Sequence, residues 1–131
     1  MNKIFKTSVG NGKIRVDGIA VVAKDGLVVS LLGGEISHIG AVAIAIPDAS
    51  LRDSRKKTVT SSVFTLLGHR DDAIARLAAE LAAKRLNRVV VAVVGLHVAR
   101  ATRREINALV ANCKRCLTRL LEDILKTKRK I

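Results

Sequence analysis

Apolar and polar residues alternate with a period of two over much of the first half of the chain. Residues 3–9 alternate, and residues 13–23 carry Ile14, Val16, Ile19 and Val21 past Gly18. Residues 27–32 are apolar nearly throughout, and residues 38–46 hold a run of small apolar side chains ended by Pro47. Asn11-Gly12 and Asp25-Gly26 stand between these segments. Both dipeptides tolerate the positive φ of a type I′ turn, so the four segments are predicted to form an antiparallel meander.

Beyond Pro47 the chain is polar to residue 57, with Arg52, Arg55, Lys56 and Lys57 close together, and reads as a basic surface loop rather than a linker. Residues 58–66 resume a β-branched strand, which Gly68 breaks. The period then changes. Ile74, Leu77, Ala78 and Leu81 fall at helical spacing within 71–86, with Asp71 and Asp72 in the first turn and Lys84 and Arg85 in the last, as the helix dipole favours. The β-branched run Val89-Val90-Val91-Ala92-Val93-Val94 predicts a strand at the centre of a sheet. Thr102-Arg103-Arg104-Glu105 matches a capping box and opens a second helix with the stripe Ile106, Val110, Cys113, Leu117, Leu120 and Ile124.

That helix, if it reaches Thr127, measures about 39 Å at 1.5 Å per residue, against ~20 Å for a typical strand. Its far end is expected to overhang the sheet, either fraying as a basic tail over 126–131 or packing on another subunit. The expected architecture is a single α+β domain spanning 1–131: two layers, a mostly antiparallel sheet of about six strands, and two helices.

Composition narrows the partners. Phe5 and Phe64 are the only aromatics, so the core is built of small and branched aliphatics. The net charge is +13, and residues 99–131 hold ten Lys or Arg against Glu105, Glu122 and Asp123. A basic C-terminal face implies an anionic partner or a solubilising surface. Nucleic acid is the less favoured partner, because single-strand binders stack bases on aromatic platforms that this chain lacks. The first residues hold no apolar leader and no run approaches the ~20 residues of a membrane helix, so a cytoplasmic protein is expected, with no membrane partner. Cys113 and Cys116 form a C-x-x-C inside a helical pattern, where core packing is expected rather than redox chemistry.

Each histidine stands near a glycine at a strand end: Gly34 and Gly40 flank His38, Gly68 precedes His69, and Gly95 lies two before His97. If the strands of 58–66 and 88–96 are parallel across their helix, and that of 38–46 antiparallel to the former, all three imidazoles reach one end of the sheet. Such a cluster could bind zinc. It could equally be structural, with His69 capping a helix and His97 ending a strand. Between these lies a small-ligand site, in which imidazoles, glycine amides and the hydroxyls of Thr60, Ser61 and Ser62 receive a phosphate or flavin-like anion. Glu35 and His38 could form an acid–base pair, yet no nucleophile elbow, P-loop or dinucleotide fingerprint accompanies them, so no enzymatic activity is expected.

The order and spacing of Leu27 through Gly34, His38-Ile39-Gly40-Ala41-Val42-Ala43, Leu67-Gly68-His69-Arg70-Asp71-Asp72 and Gly95-Leu96-His97-Val98 resemble the prenylated-flavin chaperone-like family, whose namesake is the small D subunit of gallate decarboxylase. The likeness covers residues 10–125. It implies a fold similar to proteasome assembly chaperone 4, a homodimer without catalytic activity, and a role in helping a decarboxylase acquire or keep prenylated flavin mononucleotide. By motif match it implies Gly33, Gly34, His38, Gly40, His69 and His97 as cofactor-binding residues and no metal ligand. Two departures stand out: Leu67 where a proline is expected before Gly-His, and Ile36-Ser37 where a proline-bearing step is expected before His38.

Overall fold

In a computed structural model of the chain, residues 2–48, 58–66 and 71–129 are described. Most of the expected basic loop, together with Gly68, His69 and residues 130 and 131, lies outside them. The elements are β1 (Lys3–Val9), β2 (Val16–Val22), β3 (Gly26–Gly34), β4 (Ala41–Pro47), β5 (Val59–Thr65), α1 (Asp72–Leu86), β6 (Val89–His97) and α2 (Arg103–Arg129). They form one sheet in the order β1-β2-β3-β6-β4-β5, covered on one side by both helices. The α+β class and the mostly antiparallel sheet match expectation: only β3 and β6 run parallel.

The meander stops one strand short. β4 does not pair with β3, because β6 enters between them. The valine-rich sequence of β6 explains why: Val90, Ala92 and Val94 are fully buried on one face, and a central position satisfies both ladder edges of so apolar a strand. The expected type I′ turns also give way. β1 and β2 register at Val9 and Val16, so residues 10–15 form a longer loop with a 3-10 turn at Gly12–Ile14 and positive φ at Gly10 and Gly12, not at Asn11. Before β3, Ala23 N donates to Gly26 O, which centres the turn on Lys24 and Asp25 rather than on Asp25-Gly26.

One face of the sheet carries Val16, Ala20, Leu27, Val29, Leu31, Ala41, Ala43, Ala45, Val90 and Val94, all buried under the helices. α1 lies over β4, β5 and β6; α2 lies over β1, β2 and β3. The expected core stripe of α1 is displaced. Leu77 and Leu81 are 43% and 37% exposed, while Ala75, Ala78, Ala79, Ala82, Ala83 and Leu86 make the contact. The alanines of β4 and of α1 face one another, so the helix backbone approaches the sheet more closely than leucines would allow. Volume matching across the interface, rather than hydrophobicity alone, selects the buried stripe.

α2 follows its predicted stripe from Cys113 to Ile124, joined by Leu109, Cys116 and Leu121, but Ile106 is half exposed. Burial persists to Ile124 and the helix continues to Arg129, well into the stretch expected to fray. The capping box is formed: Thr102 N donates to Glu105 Oε1 at 2.9 Å and Glu105 N to Thr102 Oγ1 at 3.1 Å. The Thr102 amide thereby holds the Glu105 carboxyl below the usual carboxylate range. Buried Asn112 donates its Nδ2 to Ile14 O at 2.8 Å and so fastens the β1–β2 loop to α2. Cys116 packs where Gly18 leaves space, as a Cβ on Gly18 would strike its Sγ.

Thr102→Ala should lower stability by about 1 kcal/mol in a denaturant titration, the usual cost of a lost cap. Burial pushes the Cys113 thiol up to about 12 and that of Cys116 up to about 11 from an ordinary 9.0. Both thiols should therefore resist iodoacetamide in the native protein at pH 8 and react after unfolding. Because the unfolded chain ionises first, this contribution to stability is whole below pH 9 and is lost as pH rises through the folded values.

Candidate functional site

Inserting β6 between β3 and β4 forces residues 35–40, which connect those two strands, to pass over the end of β6. The crossing point is Gly95, where a Cβ would collide with the carbonyl oxygen of His38. Every strand end around it is tied to a neighbour. Glu35 N donates to His97 O at 2.7 Å, Gly40 N to Val94 O at 2.9 Å, and Leu66 N to Gly40 O at 2.9 Å. The Glu35 carboxylate accepts from Ala99 N at 2.9 Å, which directs it to the chain after β6 rather than into an acid–base pair with His38.

This passage brings His38 and His97 together. Their rings lie edge to face, with centroids 5.5 Å apart and planes inclined by 67°. Both side chains are half buried, and both ring nitrogens of His38 are withdrawn from solvent. Gly34 pairs with His97 across β3 and β6, and Gly40 adjoins the first residue of β4, so Gly33, Gly34, His38, Gly40 and His97 share one end of the sheet. The parallel relation of β5 and β6, each antiparallel to β4, also directs the end of β5 to this side. His69 lies outside the described residues. Among the described residues no three His, Cys, Asp or Glu are grouped as metal ligands.

The glycines here have packing reasons. Gly34, at φ +89°, lies against the His97 carbonyl, where a side chain has no room. A Cβ on Gly33 would meet Arg15 O, and one on Gly40 would meet the Asp71 carboxylate. Asp71, expected as a helix-dipole acid, is buried at 7% exposure and its Oδ2 accepts from Leu96 N at 3.3 Å. It links the start of α1 to β6 behind the histidines. Its sequence neighbourhood signals a helix start, and only the sheet order shows that the carboxylate faces inward. The hydroxyls of β5 do not join the site: Ser61 pairs with Ala45, well along β4 from Ala41, and engages Arg76 and Glu80 of α1.

His97 belongs to the row of β6 that faces away from the helices, with Val91, Val93 and Gly95. The site therefore opens at the rim of the uncovered face of the sheet. On that face Ile19, Val28, Ile44, Ile46 and Phe64 are 40%, 48%, 39%, 52% and 73% exposed. Exposed apolar side chains gathered on one sheet face are a common feature of interaction surfaces. No helix among the described residues is long and apolar enough to cross a membrane.

A family model described as the prenylated flavin chaperone LpdD-like domain matches residues 10–125, and the chain belongs to that family. No curated protein matches it. Among solved structures it resembles a chain from the crystal structure of a chaperone complex for yeast 20S proteasome assembly. The two are 25% identical, the match covers 96% of each chain, and the TM-score is 0.59. The sequence resemblance to the flavin-chaperone family and the expected likeness to a proteasome assembly chaperone are both borne out.

Gly95→Ala should lower stability by about 1–3 kcal/mol in chemical denaturation, because the added methyl must displace the backbone that crosses above it. Near-wild-type stability would mean that residues 35–40 do not pass over β6 as described.

Proposed function

We propose, from that family membership, that the chain is a non-catalytic accessory protein that helps a decarboxylase of the prenylated-flavin type acquire or retain its cofactor. The observation that carries this reading is the His38–His97 ring pair at the rim of an uncovered apolar face. Imidazoles beside aliphatic surface suit a flat ligand with polar ring edges and an apolar prenyl addition, so the residues present fit the group. His38 and His97, with His69 from the sequence motif, would hold the flavin. Gly33, Gly34 and Gly40 would shape the floor beneath it. The flavin is cargo here, and its chemistry belongs to the receiving enzyme.

The protein would work in the cytoplasm as a homodimer, presenting its apolar sheet face to the decarboxylase. A second reading is supported by the exposed basic side of α2, where Arg104, Arg115, Arg119 and Lys126 line up at helical spacing. That surface suits nucleic acid or an acidic protein surface, including one met in proteasome-type assembly.

Titration with prenylated flavin mononucleotide, followed by flavin fluorescence, should show saturable binding. His97→Ala should weaken it about five- to tenfold, the worth of one lost hydrogen bond, and His38→Ala should weaken it less, by removing the ring against which His97 packs. Absence of binding by the wild type defeats the cofactor reading. Affinity for RNA or DNA that falls steeply with salt would move the function to the second reading.

A further inference from the structure

The two edges of the sheet are built differently. β1 carries Lys3 and Lys6, and its Thr7 and Ser8 carbonyls face Cys116 Sγ at 3.8 Å and an Arg119 amino group at 3.4 Å. Such charges and covers blunt an edge against pairing. β5 has neither a charge nor a proline in Val59-Thr60-Ser61-Ser62-Val63-Phe64-Thr65. Its hydrogen-bond phase follows from Leu66 N donating to Gly40 O and Asp48 N to Thr58 O: the even-numbered residues bond β4. The N–H and C=O groups of Val59, Ser61, Val63 and Thr65 are therefore directed outward.

Above this edge α1 carries Asp72, Arg76, Glu80 and Lys84, four residues apart and alternating in sign. Arg76 donates to Ser61 Oγ at 2.9 Å, and Ser61 Oγ donates to Glu80 at 2.7 Å, so the middle of the charged row sits over Ser61. We propose that β5 is the homodimer edge, pairing antiparallel with β5 of a second copy about a two-fold axis through Ser62. In that register Val59 pairs with the second copy's Thr65 and Ser61 with its Val63, satisfying every outward group of both strands. Phe64 then stands opposite a Thr60 and loses much of its exposure.

The same axis makes α1 self-complementary. Reversed against itself, the row sets Asp72 against Lys84 and Arg76 against Glu80, and its midpoint over Ser61 lies one residue from the midpoint of the strand register. Elsewhere a chain of charge +13 repels its copy; this strip is balanced and isologous. The pairing joins the two sheets into one and makes their uncovered faces continuous. It rests on the homodimer part of the proposed function, and the experiment below reads assembly without flavin, so its failure leaves the cofactor reading standing.

Sedimentation velocity over a concentration series should find a dimer for the wild type. Arg76→Glu and Glu80→Arg alone should each raise the dissociation constant about tenfold or more, since each places like charges at two symmetric contacts. The double variant Arg76→Glu/Glu80→Arg restores opposite charges across the axis and should return the wild-type value, with circular dichroism unchanged throughout. A wild type that stays monomeric, a dimer indifferent to both single changes, a double variant that fails to recover, or a dimer split instead by Ile44→Lys on the uncovered face overturns the proposal.

Discussion

A strand that arrives late in the chain can enter the middle of an existing sheet only if the connection between its two neighbours clears its end. Residues 35–40 make that passage over Gly95, where the absence of a side chain lets one backbone lie on another. The rest of the molecule follows from this crossing. It separates β3 from β4, makes β3 and β6 the one parallel pair, and brings the connection's own histidine against the last residue of β6. The hydrogen bonds from Glu35, Gly40 and Leu66 fix the chain on both sides of the bridge, and Asp71 closes it from the helix side.

The helix layer obeys a second constraint, that of volume. β4 offers alanine at 41, 43 and 45, and α1 answers with alanine at 75, 78, 79, 82 and 83. Small residues on both sides permit a close approach, and dispersion attraction between the closely apposed backbones replaces what larger side chains would supply. Leu77 and Leu81 of α1 are thereby turned outward, while Leu86 stays buried at the helix end. α2 keeps larger residues because it covers strands whose inner faces include Gly18 and Ala20, which leave room for Cys116 and Leu120.

Function is distributed according to what the helices leave bare. The side of the sheet away from them is apolar and almost without charge across its centre, while α2 carries a row of exposed basic residues. Family membership places the chain among prenylated flavin chaperones, and the solved relative belongs to a chaperone complex. A protein of this kind is expected to hold something on behalf of another. What the helices leave bare are the apolar face, the imidazole pair at its rim and the uncharged β5 edge.

The sequence by itself determined the elements, since their signals are local. Period two marks the strands, period 3.6 the helices, and Thr102 with Glu105 the start of α2. It also held the family motifs that single out His38 and His97. The valine run also announced a central strand, but tertiary structure alone decided that β6 enters between β3 and β4, which face of α1 turns inward and that Asp71 is buried. These depend on which surfaces meet, and hydrophobic periodicity says that a face is buried without saying against what. Turn chemistry failed for a related reason: Asn11-Gly12 permits a tight hairpin, but the register that buries Val9 and Val16 together outweighs it and lengthens the loop.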